Sequence, residues 1–345
     1  MSSEDECYHP QSILITGGAG FIGSHATIKV AALYPNASIV VLDKLDYCAH
    51  PKNLDSVEGR VELVVGDITS IDLVSYLLKH REIDTILHFA AQTHVDNSFG
   101  NSFLFTQTNV FGTHVLLEAA RQYGKIKRFI HVSTDEVYGT TELTMAETQV
   151  LDPTNPYAAT KAAAEYLVKS YYHSFSLPII ITRGNNVYGP HQYPEKLIPK
   201  FINLILRDRP CTIHGTGEAK RSFLYVEDVA DAFCLLLGKG RIGQIYNIGT
   251  DLEITVIEVT KTLIGLFGKS PDALITYVED RHFNDLRYSI DSAKLNLLGW
   301  TPSTSWEVGL AKTIAWYTSH TDYWPNLDVS LQAHPPTVKP HFAAN

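Results

Sequence analysis

The sequence predicts an α/β fold, a doubly wound parallel sheet followed by a smaller C-terminal substrate-binding region, and three observations carry that reading. Short apolar runs alternate with longer stretches of helical period through residues 1-183, the pattern of strands buried on both faces and joined by crossover helices. The first run, Ser12-Ile-Leu-Ile-Thr16, enters a glycine-rich turn, Gly17-Gly-Ala-Gly-Phe-Ile-Gly23. The second, Ser38-Ile-Val-Val-Leu42, ends in Asp43, about twenty residues beyond the last glycine of that turn.

Along the chain, the glycine turn opens a helix through Lys29 towards Tyr34. Further strands are expected at Val61 to Val65, Thr85 to Phe89, Phe129 to Val132 and Pro178 to Thr182, with helices at Ile71 to Lys79, Thr108 to Tyr123 and Tyr157 to Tyr172. A strand, a turn with shortened side chains and a helix N-terminus let backbone amides approach a pyrophosphate, and an acid at the end of the second strand suits a ribose hydroxyl. A Rossmann-type dinucleotide site is therefore expected. Asp43 favours NAD over NADP, because a carboxylate repels a 2′-phosphate.

Beyond residue 184 the alternation fades and Pro, Gly and aromatic residues become denser, as at Gly189-Pro190, Tyr193-Pro194 and Gly215 to Gly217. With no flexible linker between them, residues 184-324 are expected to cap residues 1-183 as the main substrate region. Parts of 220-250, including Gln244 to Ile248, should complete the first sheet. Residues 325-345 carry Pro335, Pro336 and Pro340 without an apolar period and read as an irregular tail.

Composition narrows the function. Lys and Arg total 28 against 37 Asp and Glu, a net charge of −9, and no basic block could track nucleic-acid phosphates. Cys7, Cys48, Cys211 and Cys234 are too scattered for a disulfide framework or a zinc site. The 15 histidines show no ligand spacing, so no metal is expected, and Cys48 reads as a small packed side chain. No apolar run approaches the ~18 residues of a membrane span and the first eleven residues lack a leader pattern, which points to a soluble, cytoplasmic protein.

The chemistry is expected in His131-Val-Ser-Thr-Asp-Glu-Val-Tyr-Gly139, an apolar strand ending in the Thr134 hydroxyl and the carboxyls of Asp135 and Glu136. Such residues also cap turns, but Tyr157-Ala-Ala-Thr-Lys161 places a phenol and an ammonium on one helix face. Beside an oxidised nicotinamide, the lysine would favour phenolate and so make the tyrosine a base for a sugar hydroxyl. Two neighbouring carboxyls in a dry pocket divide into one acid and one base; the sequence does not say which holds the proton. Adjacent residues on a regular strand point to opposite faces, so the strand must break near Asp135.

Taken together, Gly17 to Gly23, Ser133 and Tyr157-x-x-x-Lys161 resemble the extended short-chain dehydrogenases/reductases, over most of the chain to about residue 320. Within them, Thr134-Asp135-Glu136-Val-Tyr-Gly139 resembles the nucleoside-diphosphate-glucose 4,6-dehydratases. The resemblance implies that Tyr157, with Lys161, deprotonates the C4 hydroxyl while hydride passes to NAD. Glu136 then removes the C5 proton, Asp135 protonates the departing C6 hydroxyl and the hydride returns to C6. Thr134 would bond the C4 oxygen and Ser133 would order the site. It also implies cofactor contacts from Gly17, Gly20, Phe21, Ile22, Gly23, Asp43 and Lys44, with Asp67 and Ile68 at the adenine and Ala90, Ala91 and Asn109 lining the pocket. Asn186, Lys196, Leu197, Arg221, Asn247 and Arg281 would hold the nucleoside diphosphate, and His214 would pack on its base.

The stretches His88 to Phe99 and Thr182 to Pro190 look closest to the UDP-glucose 4,6-dehydratase domain of plant-type rhamnose synthases. UDP-glucose is thus the expected substrate and dTDP-glucose the alternative, ahead of a 4-epimerase, a decarboxylase or a non-catalytic NAD-binding regulator. A separate downstream epimerase/reductase is expected to finish the deoxysugar. A homodimer is expected from the helices Thr108 to Tyr123 and Tyr157 to Tyr172. Val110, Leu116 and Leu117 in the first, and Tyr166, Leu167 and Tyr171 in the second, make each apolar on more than one face.

Overall fold

The computed structural model describes residues 7–140, 143–279, 289–325 and 327–332. Its strands in chain order are β1 Ser12–Thr16, β2 Ser38–Asp43, β3 Glu62–Val65, β4 Thr85–His88, β5 Arg128–Thr134, β6 Ile179–Gly184, β7 Asn186–Tyr188, β8 Cys211–His214, β9 Lys220–Tyr225, β10 Ile245–Ile248, β11 Glu253–Thr255 and β12 Ile275–Val278. Seven of them form one parallel sheet in the order β10-β6-β5-β4-β1-β2-β3. The return of residues 245–248 to this sheet is as expected. The order reverses direction at β1, and in doubly wound sheets ligands bind outside the strand C-termini at that point.

Strand period explains how the sheet is covered. Ile13, Ile15 and Val41 pack on one face with the helices Phe21–Leu33 and Val226–Lys239, while Leu14, Val40 and Leu42 pack on the other with Ile71–His80 and Thr113–Tyr123. A third core, around Tyr188, Phe201, Val259, Leu263 and Tyr317, lies beneath the strand sets β11-β9-β7 and β12-β8. The C-terminal region therefore has its own apolar interior.

Three sequence expectations are corrected. The helix predicted from Thr108 begins as a wider π-helical segment, Thr106–Gly112, before the α-helix Thr113–Tyr123; such segments often accompany functional sites. Leu116, Leu117 and Tyr171 turn inward to the core, whereas Tyr166 is exposed as expected, along with Phe103 and Phe111. The start of the tail is ordered: Leu327–Ser330 form a helical turn, and Leu331 is buried in the third core. Residues 333–345 lie outside the described residues.

Behind β5 and β6 lies a buried polar network. The Arg183 guanidinium, wholly inaccessible, donates to both Glu165 carboxylate oxygens at 3.0 and 2.6 Å and to the Tyr138 hydroxyl at 2.8 Å. Tyr138 donates in turn to Asn247 at 2.9 Å. Paired this way the charges are tolerated, whereas removing one partner strands the other. Arg183→Met is expected to cost about 3–5 kcal/mol in denaturant unfolding, against little loss for a surface pair such as Lys312 with Glu227.

Candidate active site

The site is built at the C-terminal ends of the parallel strands. After β1 the chain turns at Gly17, whose φ of +70° is open to glycine and whose Cβ would lie 2.6 Å from the Ala90 amide nitrogen. At Gly23 a Cβ would lie 2.2 Å from the Gly17 carbonyl oxygen, so the turn can sit against its helix only without a side chain. That helix begins at Phe21, and Gly20 before it supplies no side-chain cap, leaving first-turn amides for a ligand. The Asp43 carboxylate ties the turn to β2, accepting from Ala19 N at 3.0 Å and Leu45 N at 2.9 Å. Burial pushes its carboxyl up and those amide bonds pull it back.

These groups open onto a cleft of about 290 Å³. Gly17, Gly20, Phe21, Ile22, Gly23, Asp43, Lys44, Asp67, Ile68, Ala90 and Ala91 line it, together with Ser133, Thr134, Asp135, Glu136, Tyr157 and Lys161. Asn186 and Lys196 reach it from the C-terminal region. Among the described residues nothing bonds the buried Ser133 Oγ. The glycine cradle, the uncapped helix start and this spare hydroxyl together fit a dinucleotide.

The break required near Asp135 is present: β5 stops at Thr134 and residues Asp135–Tyr138 form a 3₁₀ turn. The turn brings both adjacent carboxyls to one cleft. Thr134 Oγ1 accepts from Glu136 N at 3.3 Å, capping the turn, and donates to Asp135 Oδ1 at 3.2 Å. Asn185 Nδ2 donates to Asp135 Oδ2 at 2.7 Å. Burial, then the Glu136 charge, pushes the Asp135 carboxyl up to about 7 despite these donors. The Asp135 carboxyl is therefore biased to keep its proton.

Tyr157 and Lys161 lie on the helix Pro156–Phe175, both buried. Lys161 Nζ donates to the Val132 carbonyl at 2.6 Å, and burial pulls its ammonium down to about 8. The Tyr157 phenol is pushed well up, chiefly by burial and then by Glu136, with a bond to Thr134 acting in the opposite sense. Lys161 thus ties its helix to β5, and burial biases the Tyr157 phenol to its neutral form.

Other expected contacts fall elsewhere. Asn109 is behind the wall, bonding Gln92 N and O and Thr160. Asn247 is fully buried, and its amide is committed to Tyr138, Met145 and Asp291; it supports the site and does not line the cleft. Leu197 starts the helix Leu197–Leu206 and packs on the third core. His214 and Arg221 sit outside the cleft lining, although the Arg221 charge is felt at Asp135. Arg281 lies outside the described residues. Cys48 lines the cleft, and burial pushes its thiol to about 12, so it is an inert wall. Sequence reasoning missed Asn185 and Asn155, the latter donating to Glu136 Oε2 at 3.1 Å. Asn155 had a readable signal as a helix cap before Pro156, whereas Asn185 had none.

The family model for GDP-mannose 4,6 dehydratase matches residues 14–313. The chain belongs to this family. It is 56% identical over 338 residues to a trifunctional UDP-glucose 4,6-dehydratase/UDP-4-keto-6-deoxy-D-glucose 3,5-epimerase/UDP-4-keto-L-rhamnose-reductase of Arabidopsis thaliana, covering 96% of this chain and 51% of that one. The chain thus spans about half the length of such relatives. It is 47% identical over 331 residues to the human dTDP-D-glucose 4,6-dehydratase, with 94% of each covered. The crystal structure of the Streptomyces venezuelae dTDP-glucose 4,6-dehydratase DesIV, with NAD and TYD bound, is 40% identical and superposes with a TM-score of 0.88 over 92% of this chain and 100% of that one. Family membership accounts for the sheet order and the cleft. Among the described residues no helix is long and apolar enough to cross a membrane, and no cluster of side chains could hold a metal ion.

A stability profile tests the state of Asp135. A carboxyl raised in the fold binds protons that the unfolded chain has released, so its contribution is full below about pH 4 and is lost as pH rises towards 7. Asp135→Asn removes that loss. In chemical denaturation without ligands, the variant should gain on the wild type from pH 4 to 8 by roughly 1–4 kcal/mol; parallel profiles would place the proton elsewhere.

Proposed function

We propose that the protein is a UDP-glucose 4,6-dehydratase that uses NAD to make UDP-4-keto-6-deoxyglucose. The observation that carries this reading is the turn Asp135–Tyr138, which directs a carboxyl held near neutrality and a second carboxyl into the cleft of Tyr157. Tyr157 and Lys161 alone would suit oxidation of a sugar hydroxyl; the pair of carboxyls suits elimination of water. When bound, NAD supplies the hydride acceptor at C4 and the hydride donor at C6.

Tyr157 takes the C4 hydroxyl proton, with Thr134 bonding the same oxygen. A carbonyl at C4 acidifies the C5 hydrogen, which Glu136 removes. Asp135, protonated, gives its proton to the leaving C6 hydroxyl. The division between acid and base follows from burial, because Asp135 is the more enclosed of the two. Lys161 anchors the end of β5 and adds positive charge near the phenol.

Residues 1-183, with the strand and helix contributed by 220-250, form the proposed cofactor unit, and 184-324 the proposed substrate unit. Asp67 and Ile68 would take the adenine and Asp43 the ribose, while Asn186, Lys196 and Arg221 would meet the diphosphate. Identity with the plant enzymes supports UDP over dTDP. The dTDP reading stands second on the human relative, which this chain covers almost end to end, since the two nucleotides differ only by a base methyl, worth about 1–3 kcal/mol in a pocket, and the ribose 2′-hydroxyl. We also propose a cytoplasmic homodimer joined through Phe103, Phe111 and Tyr166; a micromolar solution that sediments as a monomer would refute the dimer.

Incubation with UDP-glucose and with dTDP-glucose should yield the alkaline absorbance of a 4-keto sugar, faster from UDP-glucose. No keto product from either donor would refute the reading. Tyr157→Phe is expected to abolish transient NADH on mixing, with product loss of about 100-fold or more. Glu136→Gln should still form NADH yet release little product.

A further inference from the structure

We propose that Asn155 is a positioning residue that makes Glu136 the base of the pair, an inference that rests on the dehydratase reading. Asn155 is buried at the start of the helix that carries Tyr157. Its Oδ1 accepts from Ala158 N at 2.8 Å, the ordinary N-cap bond, and its Nδ2 donates to Glu136 Oε2 at 3.1 Å. The first bond fixes the sense of the second. Turning the amide over would set its carbonyl against a carboxylate and its hydrogens against the Ala158 N–H.

Glu136 therefore always meets a donor at this oxygen, and a donor favours the ionised form. A cap alone does not require asparagine, because serine and aspartate cap as well. Serine, though, is too short to span from the cap to Glu136, and aspartate would face it with like charge. The same side chain caps the helix from two residues before Tyr157, so the phenol and the carboxylate are held in one register. Asp135 is served by the separate donor Asn185, whose Oδ1 is fixed by Thr250 N at 3.1 Å. Each carboxyl thus has its own amide, and only the one at Glu136 is tied to the catalytic helix.

The test uses the full chain with bound NAD and UDP-glucose, comparing wild type with Asn155→Ser and Asn155→Asp. Both variants keep a capping oxygen, so melting temperatures should stay close to wild type, and transient NADH should still form on mixing. Release of the 4-keto sugar should fall about tenfold in Asn155→Ser. The pH below which product formation is lost should move upward in both, further in Asn155→Asp, because Glu136 then needs a higher pH to ionise. An unshifted profile overturns the proposal, as does an equal fall in NADH formation and product with a lowered melting temperature, which would assign Asn155 to the cap alone. If Asn155→Asp fails to fold, the profile of Asn155→Ser decides. A wild type that makes no keto sugar from either donor would overturn the dehydratase reading and this inference with it; an active wild type with unshifted variants overturns only the role of Asn155.

Discussion

At Thr134 the backbone is extended, with φ −138° and ψ 155°, and at the next residue it tightens into a 3₁₀ turn. Had β5 continued, Asp135 and Glu136 would have pointed to opposite faces of the sheet, one towards the cleft and the other into packed helices. The change of backbone state is what places two carboxyls on one cleft. Much of the surrounding structure holds it there. Thr134 caps the turn, and Tyr138 at its far end is gripped by Arg183 and Asn247. Arg183 is itself held by Glu165 of the helix that carries Tyr157. Turn and helix are thereby braced by one buried network.

The bracing has an electrostatic counterpart. A low-dielectric site raises Asp135 and Tyr157 and lowers Lys161, all chiefly through burial. Each group is thus biased towards its neutral form, which suits an acid at Asp135 and leaves the phenol dependent on nearby positive charge. Burying these groups costs stability. A site that holds such groups out of water is consistent with the usual trade between stability and activity.

Much of this was legible in the sequence because it depends on local pattern. The period of the apolar runs gave strands and helices within a few residues of their ends, the glycine turn gave the cradle, and the strand break was required by the adjacency of Asp135 and Glu136. What escaped was what depends on distant partners. The inward rotation of Leu116 and Leu117 depends on which face of their helix meets the sheet. Asn247 lies on a strand end that could have faced a ligand, yet its amide closes a network with Met145 and Asp291, which no nearby motif announces. Lys161 could reach either the phenol or the Val132 carbonyl, and only the helix-to-strand distance chose the latter. Asn185 and Asn186 are adjacent and look alike in sequence; the first meets Asp135 and belongs to the site by a contact 50 residues away.

In the proposed reaction one cleft oxidises C4, eliminates water across C5 and C6 and returns the same hydride to C6. Turnover of UDP-glucose carrying deuterium at C4 tests it most directly. The account predicts a 4-keto product with that deuterium at C6 and a solvent-derived hydrogen at C5. Deuterium that remains at C4, or is lost to solvent, would contradict it.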